Sequence, residues 1–393
     1  MRLICLEMLI DRLKRITRDG RWIPEVDALR FIAICSVLLF HMLGEVQLRS
    51  GRIIAIEPGW LWLEGLLSNG DRGVGLFFVV SGMILAMPFA RHFLLKAKPV
   101  SLQKYYMRRL TRLEPPYLAA LLLATLLEGV YQHGFQAGFA PHFAATALYQ
   151  HNLLFGKVSP INPIAWSLEV EVQFYLLAPV VMQVFRMGPK WMRRGLLLLS
   201  VLVMGLVQTA FQGSPRVEMS ILFFGQYFLM GLLVADVFVL DLETMKRSWV
   251  WDVAAIASVA LMFVPQRGLY WPHAAMPVVS GVLCVAAMRC VVLKWFFANK
   301  WVAVIGGMCY SIYLLHFIFI AVLFKVARRA ILTNAPFFVN YGIQLLLVAV
   351  PVVAMCAVFF LLIERPCMDP DWPSKLWVKL TGRRAEEVAV LDS

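Results

Sequence analysis

The stretch Leu29–Met42, "LRFIAICSVLLFHM", decides the fold. It belongs to an apolar run over 29–46 that is long enough to cross a hydrocarbon layer of about 30 Å. In that medium the backbone must satisfy its own hydrogen bonds, so such a run is a helix; a membrane barrel would show short alternating strands instead. Further runs of this kind are read at 74–90, 115–131, 164–185, 195–211, 219–240, 249–264, 273–293, 302–324 and 341–363. The expected fold is all-α: a polytopic transmembrane bundle of about ten spans. The stretch 140–157 is too polar to cross and is read as re-entrant or interfacial.

Composition agrees. The 393 residues are 61% hydrophobic and only 16% charged, where soluble domains carry roughly a quarter charged residues. The net charge of +13 does not indicate nucleic acid, because lysine and arginine sit between the apolar runs, where they set topology. Six precede Arg30, seven lie between Arg91 and Arg112, four lie in 186–194 and five follow from Arg365, whereas 132–163 holds only Lys157. The asymmetry puts both termini in the cytoplasm. Seven cysteines without a CxxC pair predict neither a disulfide framework nor a metal site. Residues 1–26 are expected to form a cytoplasmic amphipathic segment, with acidic Glu7 and Asp11 arguing against a signal peptide. The membrane domain is expected over 27–366 and a cytoplasmic tail over 367–393.

The polar residues inside these runs need an explanation. Arg30 and His41 are eleven positions apart, about 16 Å of helix and close to three whole turns, so they share a face. Ionisable groups are costly against lipid, so that face must look into the bundle or a wet cavity. Arg109 and Arg112, in "YYMRRLTRLEPPY", are spaced to clasp a phosphate from one helix face, or are ordinary cytoplasmic charge. "WSLEVEVQFY" places Glu169 and Glu171 near Trp166 and Tyr175, expected as a cavity lining. Gly73, Gly75 and Gly82 in "GVGLFFVVSG" permit close helix approach. "CYSIYLLHF" is expected to set Tyr310, Ser311, Tyr313 and His316 in one polar seam.

Taken in order, these motifs resemble the acyltransferase 3 family of integral-membrane O-acyltransferases. The resemblance runs from about Val26 to Pro366 and rests on Arg30 and His41 in the first helix, "GVGLFFVVSG", the RxxR element at Arg109 and Arg112, "WSLEVEVQFYLLAP" with the family glutamate at Glu171, "YSIYLLH" and "ERP". Two positions differ from the family pattern: Gly75 stands where an acid is usual, and Glu114 where an aromatic is usual. The resemblance implies a bacterial inner-membrane enzyme that moves an acyl group from acetyl-CoA, or another acyl-CoA, to a hydroxyl of a carbohydrate acceptor, including a lipid-linked one. On that reading Arg30, Arg109 and Arg112 hold the donor phosphates, and Trp166, Ser167, Tyr175, Tyr313 and His316 contact substrate. His41 is the general base, which Glu171 orients. Direct transfer and an acyl-histidine intermediate both fit. The alternatives are a non-enzymatic transporter or export subunit for a glycan or anion, and an acyltransferase that uses another donor such as succinyl-CoA.

Overall fold

The computed structural model describes residues 10–16, 22–49, 56–131, 134, 138–208, 213–264, 272–332, 334–369 and 371–381. Among the described residues the ordered elements are all helices. The principal ones are α1 (Pro24–Arg49), α2 (Gly73–Leu95), α3 (Leu102–Tyr131), α4 (Phe139–Ala147), α5 (His151–Phe155), α6 (Trp166–Val181), α7 (Lys190–Val207), α8 (Ile221–Leu240), α9 (Trp249–Phe263), α10 (Pro272–Arg289), α11 (Lys300–Gly307), α12 (Cys309–Ala327), α13 (Phe337–Gln344), α14 (Val350–Phe359) and α15 (Trp372–Thr381).

Helices stand at all ten expected places, and seven are long and apolar enough to cross a membrane. The other three are α7, α9 and α10. The 15 residues of α9 rise only about 22 Å, short of the hydrocarbon thickness. The first two turns of α7 carry Lys190, Arg193 and Arg194, which leaves it a shorter apolar stretch. Two expected spans are interrupted. The ninth breaks at Met308, between α11 and α12, and the tenth carries π-helical turns at Leu345–Ala349 and Phe360–Glu364.

The polar stretch 140–157 does not form a crossing helix. It folds back as α4 and α5 and buries Thr146, His151 and Asn152. Most of their polar atoms find partners, the Asn152 side-chain oxygen being an exception. Tyr117 donates to the Thr146 carbonyl at 2.6 Å, the Thr146 and Ser159 hydroxyls lie 2.8 Å apart, and the Asn152 amide N–H donates to Glu169 at 2.9 Å. A buried segment of this polarity is tolerable only with such pairing.

Small residues set the helix spacing. A Cβ on Gly82 would lie 2.6 Å from the Phe228 carbonyl oxygen, and one on Gly231 would lie 2.4 Å from that of Val79, so α2 and α8 touch backbone to backbone. A Cβ on Gly306 would lie 1.8 Å from the Asp27 carbonyl oxygen, which seats α11 on the start of α1. Further along, the ring of His41 in α1 meets those of His316 and Phe317 in α12. The α11–α12 pair therefore ascends beside α1 in the same direction. The buried apolar residues of α1, α2, α6, α8 and α12 form one continuous core.

Residues 10–16 of the N-terminal segment pack on this bundle, with Ile10 and Leu13 buried. In the C-terminal tail, α15 docks through Trp372. Pro115 in the middle of α3 has no N–H for the Thr111 carbonyl four residues back. The Trp372 indole donates to that carbonyl at 2.8 Å.

Substituting Gly231 or Gly306 by alanine should lower the thermal midpoint of the detergent-solubilised protein. Overpacking of this kind costs about 1–3 kcal/mol. Gly44→Ala, which meets open space in α1, should leave the midpoint unchanged or raise it. Fluorescence-detected size-exclusion after graded heating measures all three.

Candidate active site

A cavity of about 340 Å³ opens between α1, α2, α3, α6 and α12. Each helix contributes a stripe at helical spacing. From α6 come Ser167, Glu171 and Tyr175, one turn apart; from α12, Tyr310 and Tyr313; from α2, Phe77, Ser81 and Ile84; and from α3, Arg108, Arg109 and Arg112. Arg15 and Arg30 complete a group of five arginines in its wall, and Glu364 stands with them.

Two of the five arginines share one buried carboxylate as their ion-pair partner. Asp27 Oδ1 accepts from Arg15 at 3.0 Å and Arg30 at 2.5 Å, and Oδ2 accepts from the Trp22 indole at 2.9 Å. Arg108, Arg109 and Arg112 form no ion pair among the described residues. Arg109 instead lies over the Tyr105 ring, 4.4 Å from its centroid. The basic loop at 186–194 is a useful contrast. There Lys190 pairs with Asp241, Arg193 with Asp236, and Arg194 with both acids. The sequence counts both loops as topological charge, but the cations of α7 are ion-paired and those of the α3 group are not, among the described residues.

Deeper in the cavity the chemistry is hydroxylic and acidic. Ser81 donates to Glu171 Oε1 at 2.8 Å, and the Ser167 and Tyr313 hydroxyls share a hydrogen bond of 2.6 Å. Glu364, at the end of the second π-helical turn, accepts from the Ser311 amide at 3.0 Å and from its hydroxyl. Departures from α-helical winding of this kind recur at functional sites.

The cavity brings together Arg30, Arg109, Arg112, Ser167, Glu171, Tyr175 and Tyr313. It does not include Glu169. Two helical positions rotate a side chain by about 200°, so Glu169 turns away from Glu171 and caps the Asn152 amide of α5. The expected pair of cavity carboxylates is therefore one cavity acid and one structural acid. The expected seam on α12 divides for the same reason: Tyr310, Tyr313 and His316 follow one face, and Ser311 turns to Glu364. Trp166 packs on Phe224, with ring centroids 5.2 Å apart, outside the cavity wall.

His41 and His316 also lie beyond the wall, one layer behind Tyr313. The ring of His316 is 5.8 Å from that of Tyr313 and 5.2 Å from that of His41. The shared face of Arg30 and His41 thus follows α11 and α12, from the mouth of the cavity to the histidine pair behind its inner end.

Sequence reading did not single out Arg15, Arg108, Ser81 or Asp27. The spacing of Asp27 three residues before Arg30 was the available signal. At the atypical position Gly75, a Cβ would lie 2.5 Å from the Tyr227 ring, so that ring occupies the room an acid would need. The atypical Glu114 lines a second cavity of about 220 Å³, which shares Arg109, Glu171, Tyr175 and Tyr310 with the first. Tyr149 lies in the same wall with a left-handed φ of 55° and stacks on Tyr117 at 4.4 Å. For a bulky side chain this conformation is strained.

The two glutamates of α6 should separate by experiment. Glu169→Ala leaves the Asn152 amide without its acceptor and should lower the thermal midpoint, whereas Glu171→Gln should leave the midpoint nearly unchanged. Parallel melting curves of the two variants check this.

A family model described as an acyltransferase domain matches residues 23–363. The chain is 25% identical over 401 residues to the O-acetyltransferase OatA of Staphylococcus aureus strain NCTC 8325, covering 94% of this chain and 61% of that protein. It is 26% identical over 203 residues to the peptidoglycan O-acetyltransferase OatA of Listeria monocytogenes, covering 49% of this chain and 29% of that protein. A putative O-acetyltransferase of Staphylococcus aureus strain COL is 25% identical over 329 residues, covering 76% of this chain and 50% of that protein. The chain thus spans less than two thirds of the length of each of these relatives. No solved structure matches it. The family match takes in Arg30, His41, Arg109, Arg112, Glu171 and His316, on helices that pack around one cavity and the histidine pair behind it: the chain belongs to the acyltransferase 3 family.

Proposed function

We propose that this protein is a multi-pass bacterial inner-membrane O-acyltransferase that takes an acyl group, acetyl in the simplest case, from cytoplasmic acyl-CoA to a hydroxyl of a glycan-type acceptor. The observation that carries the reading is the trio Arg108, Arg109 and Arg112, cations of the cavity wall that form no direct ion pair among the described residues. Guanidinium groups so placed suit the phosphates of a CoA donor. The names of the relatives, O-acetyltransferases and in one case a peptidoglycan O-acetyltransferase, support the reaction and a carbohydrate acceptor, including a lipid-linked one.

In this reading the pantetheine arm runs from the arginines past Glu171 towards Tyr313, and the thioester arrives beside the histidine pair. His41 takes the proton of the acceptor hydroxyl. The oxygen attacks the thioester carbonyl, the new C–O bond replaces the C–S bond, and the CoA thiolate receives the proton from His41. Tyr313 and Ser167 supply hydroxyl groups near the developing charge, and Glu171 contributes its carboxylate to the same wall. With both termini in the cytoplasm, the arginine mouth faces the donor pool and His41 lies towards the outer half of α1.

Three results are expected. Arg109→Ala and Arg112→Ala should each weaken acetyl-CoA binding by about 1.5–3 kcal/mol, the worth of a hydrogen bond to a charged group; isothermal titration in detergent measures it. Labelling in intact cells should reach a cysteine introduced at Gly156 and spare one at Gly188; the reverse pattern overturns the orientation. His41→Gln keeps polarity and much of the volume but cannot accept a proton at neutral pH. It should lose roughly 10²–10⁴-fold in transfer with acetyl-CoA binding intact, read as CoA release by membrane vesicles given glycan fragments. Near-normal turnover removes His41 from the chemistry.

A further inference from the structure

His316 is fully buried, and its hydrogen bonds fix its tautomer. Nδ1 lies 2.9 Å from the Ile312 carbonyl oxygen and 2.8 Å from that of Tyr313. Carbonyl oxygens only accept, so Nδ1 carries the proton and donates. In a neutral ring that leaves Nε2 as a lone-pair acceptor. Among the described residues this Nε2 has no hydrogen-bond partner. A buried acceptor without a donor is unfavourable, and such groups regularly belong to functional sites.

The surroundings say which donor belongs there. Two polar rings flank His316. The Tyr313 hydroxyl is engaged with Ser167 and the Ile164 carbonyl. The other ring is His41, half-buried, with its centroid 5.2 Å away and its plane tilted by 47°. The remaining rings around His41 are those of Phe40 and Phe317, which offer no acceptor of comparable strength.

We propose that His316 is the positioning residue of the site: in the working enzyme a turn of the two neighbouring rings lets its Nε2 accept the N–H of His41, a bond the present arrangement does not make, and this fixes the His41 tautomer and leaves the other His41 nitrogen as the lone pair that meets the acceptor hydroxyl. Which imidazole nitrogen is basic is set by the bond the other one makes. Here that bond comes from a neutral imidazole, itself locked by two backbone carbonyls, rather than from a carboxylate. His316 touches neither donor nor acceptor in this arrangement, although sequence reading counted it among the substrate contacts. In this arrangement Glu171, which accepts from Ser81 in the cavity wall, is not the group that orients His41.

The inference rests on the reading of His41 as the base, and its test separates the two. In full-length protein labelled with ¹⁵N-histidine, two-bond proton–nitrogen correlations report each tautomer without any turnover. His316, identified by loss of its signals in His316→Gln, is expected as the neutral Nδ1-protonated form, and His41 as a single tautomer. An Nε2-protonated His316 overturns the proposal. In CoA-release assays on vesicles with acetyl-CoA, His316→Gln retains an acceptor near the Nε2 position and should keep most of kcat. His316→Phe should lose roughly a hundredfold, the scale of a misplaced catalytic group, with KM for acetyl-CoA unchanged and His41 now a mixture of tautomers. Equal losses in both variants, or a kcat that neither change affects, refute the positioning role. If His316→Phe does not fold, the tautomer of His316 in the unaltered protein decides. Absence of CoA release in the unaltered protein refutes the acyltransferase reading, while the tautomer result still stands or falls by itself.

Discussion

An ionised side chain among apolar helices persists only if another group, or a wet cavity, receives it. The arrangement of this bundle depends on how that constraint is met at Asp27. Its carboxylate takes Arg15, Arg30 and the Trp22 indole. It thereby joins the N-terminal segment to α1 at the mouth of the cavity and engages two of the five arginines there, offsetting one of their charges. Gly306 brings α11 against the Asp27 backbone at the same point. With those two arginines engaged inside the protein, the cavity-wall cations that form no ion pair among the described residues are all on α3.

The backbone obeys a related rule. Each carbonyl that loses its helical partner needs another donor. Pro115 frees the Thr111 carbonyl, and the Trp372 indole supplies the donor, so a break in α3 becomes the docking point for α15. The folded-back α4 and α5 follow the same logic, with Glu169, Tyr117 and Ser159 meeting the Asn152 amide, the Thr146 carbonyl and the Thr146 hydroxyl. Among the described residues, His316 Nε2 is a buried acceptor left over behind the cavity wall. The Tyr313 hydroxyl on its other side is engaged with Ser167, so this lone pair carries information.

The helical class, the positions of the helices and the face shared by Arg30 and His41 were legible in the sequence. Each depends on local physics: apolar run length, backbone self-satisfaction and a period of 3.6 residues. The same period, applied one step further, separates Glu169 from Glu171 and Ser311 from Tyr313. The short length of α9 and the break at Met308 were less legible, because apolar composition continues where the helix does not.

What the sequence by itself determined is which side chains exist at which helical phase, and hence which could share a face. Tertiary structure decided which of those faces meet. Only packing revealed that Lys190, Arg193 and Arg194 are paired with Asp236 and Asp241 while Arg108, Arg109 and Arg112 form no ion pair among the described residues, since the partners lie some 40 residues or more away in the chain. Only packing set His41 against His316, 275 positions apart, behind rather than within the cavity wall. The reason is physical: helical phase is fixed by neighbours one turn away, whereas the pairing of charges and lone pairs depends on contacts between helices, whose approach is set by small residues such as Gly82, Gly231 and Gly306.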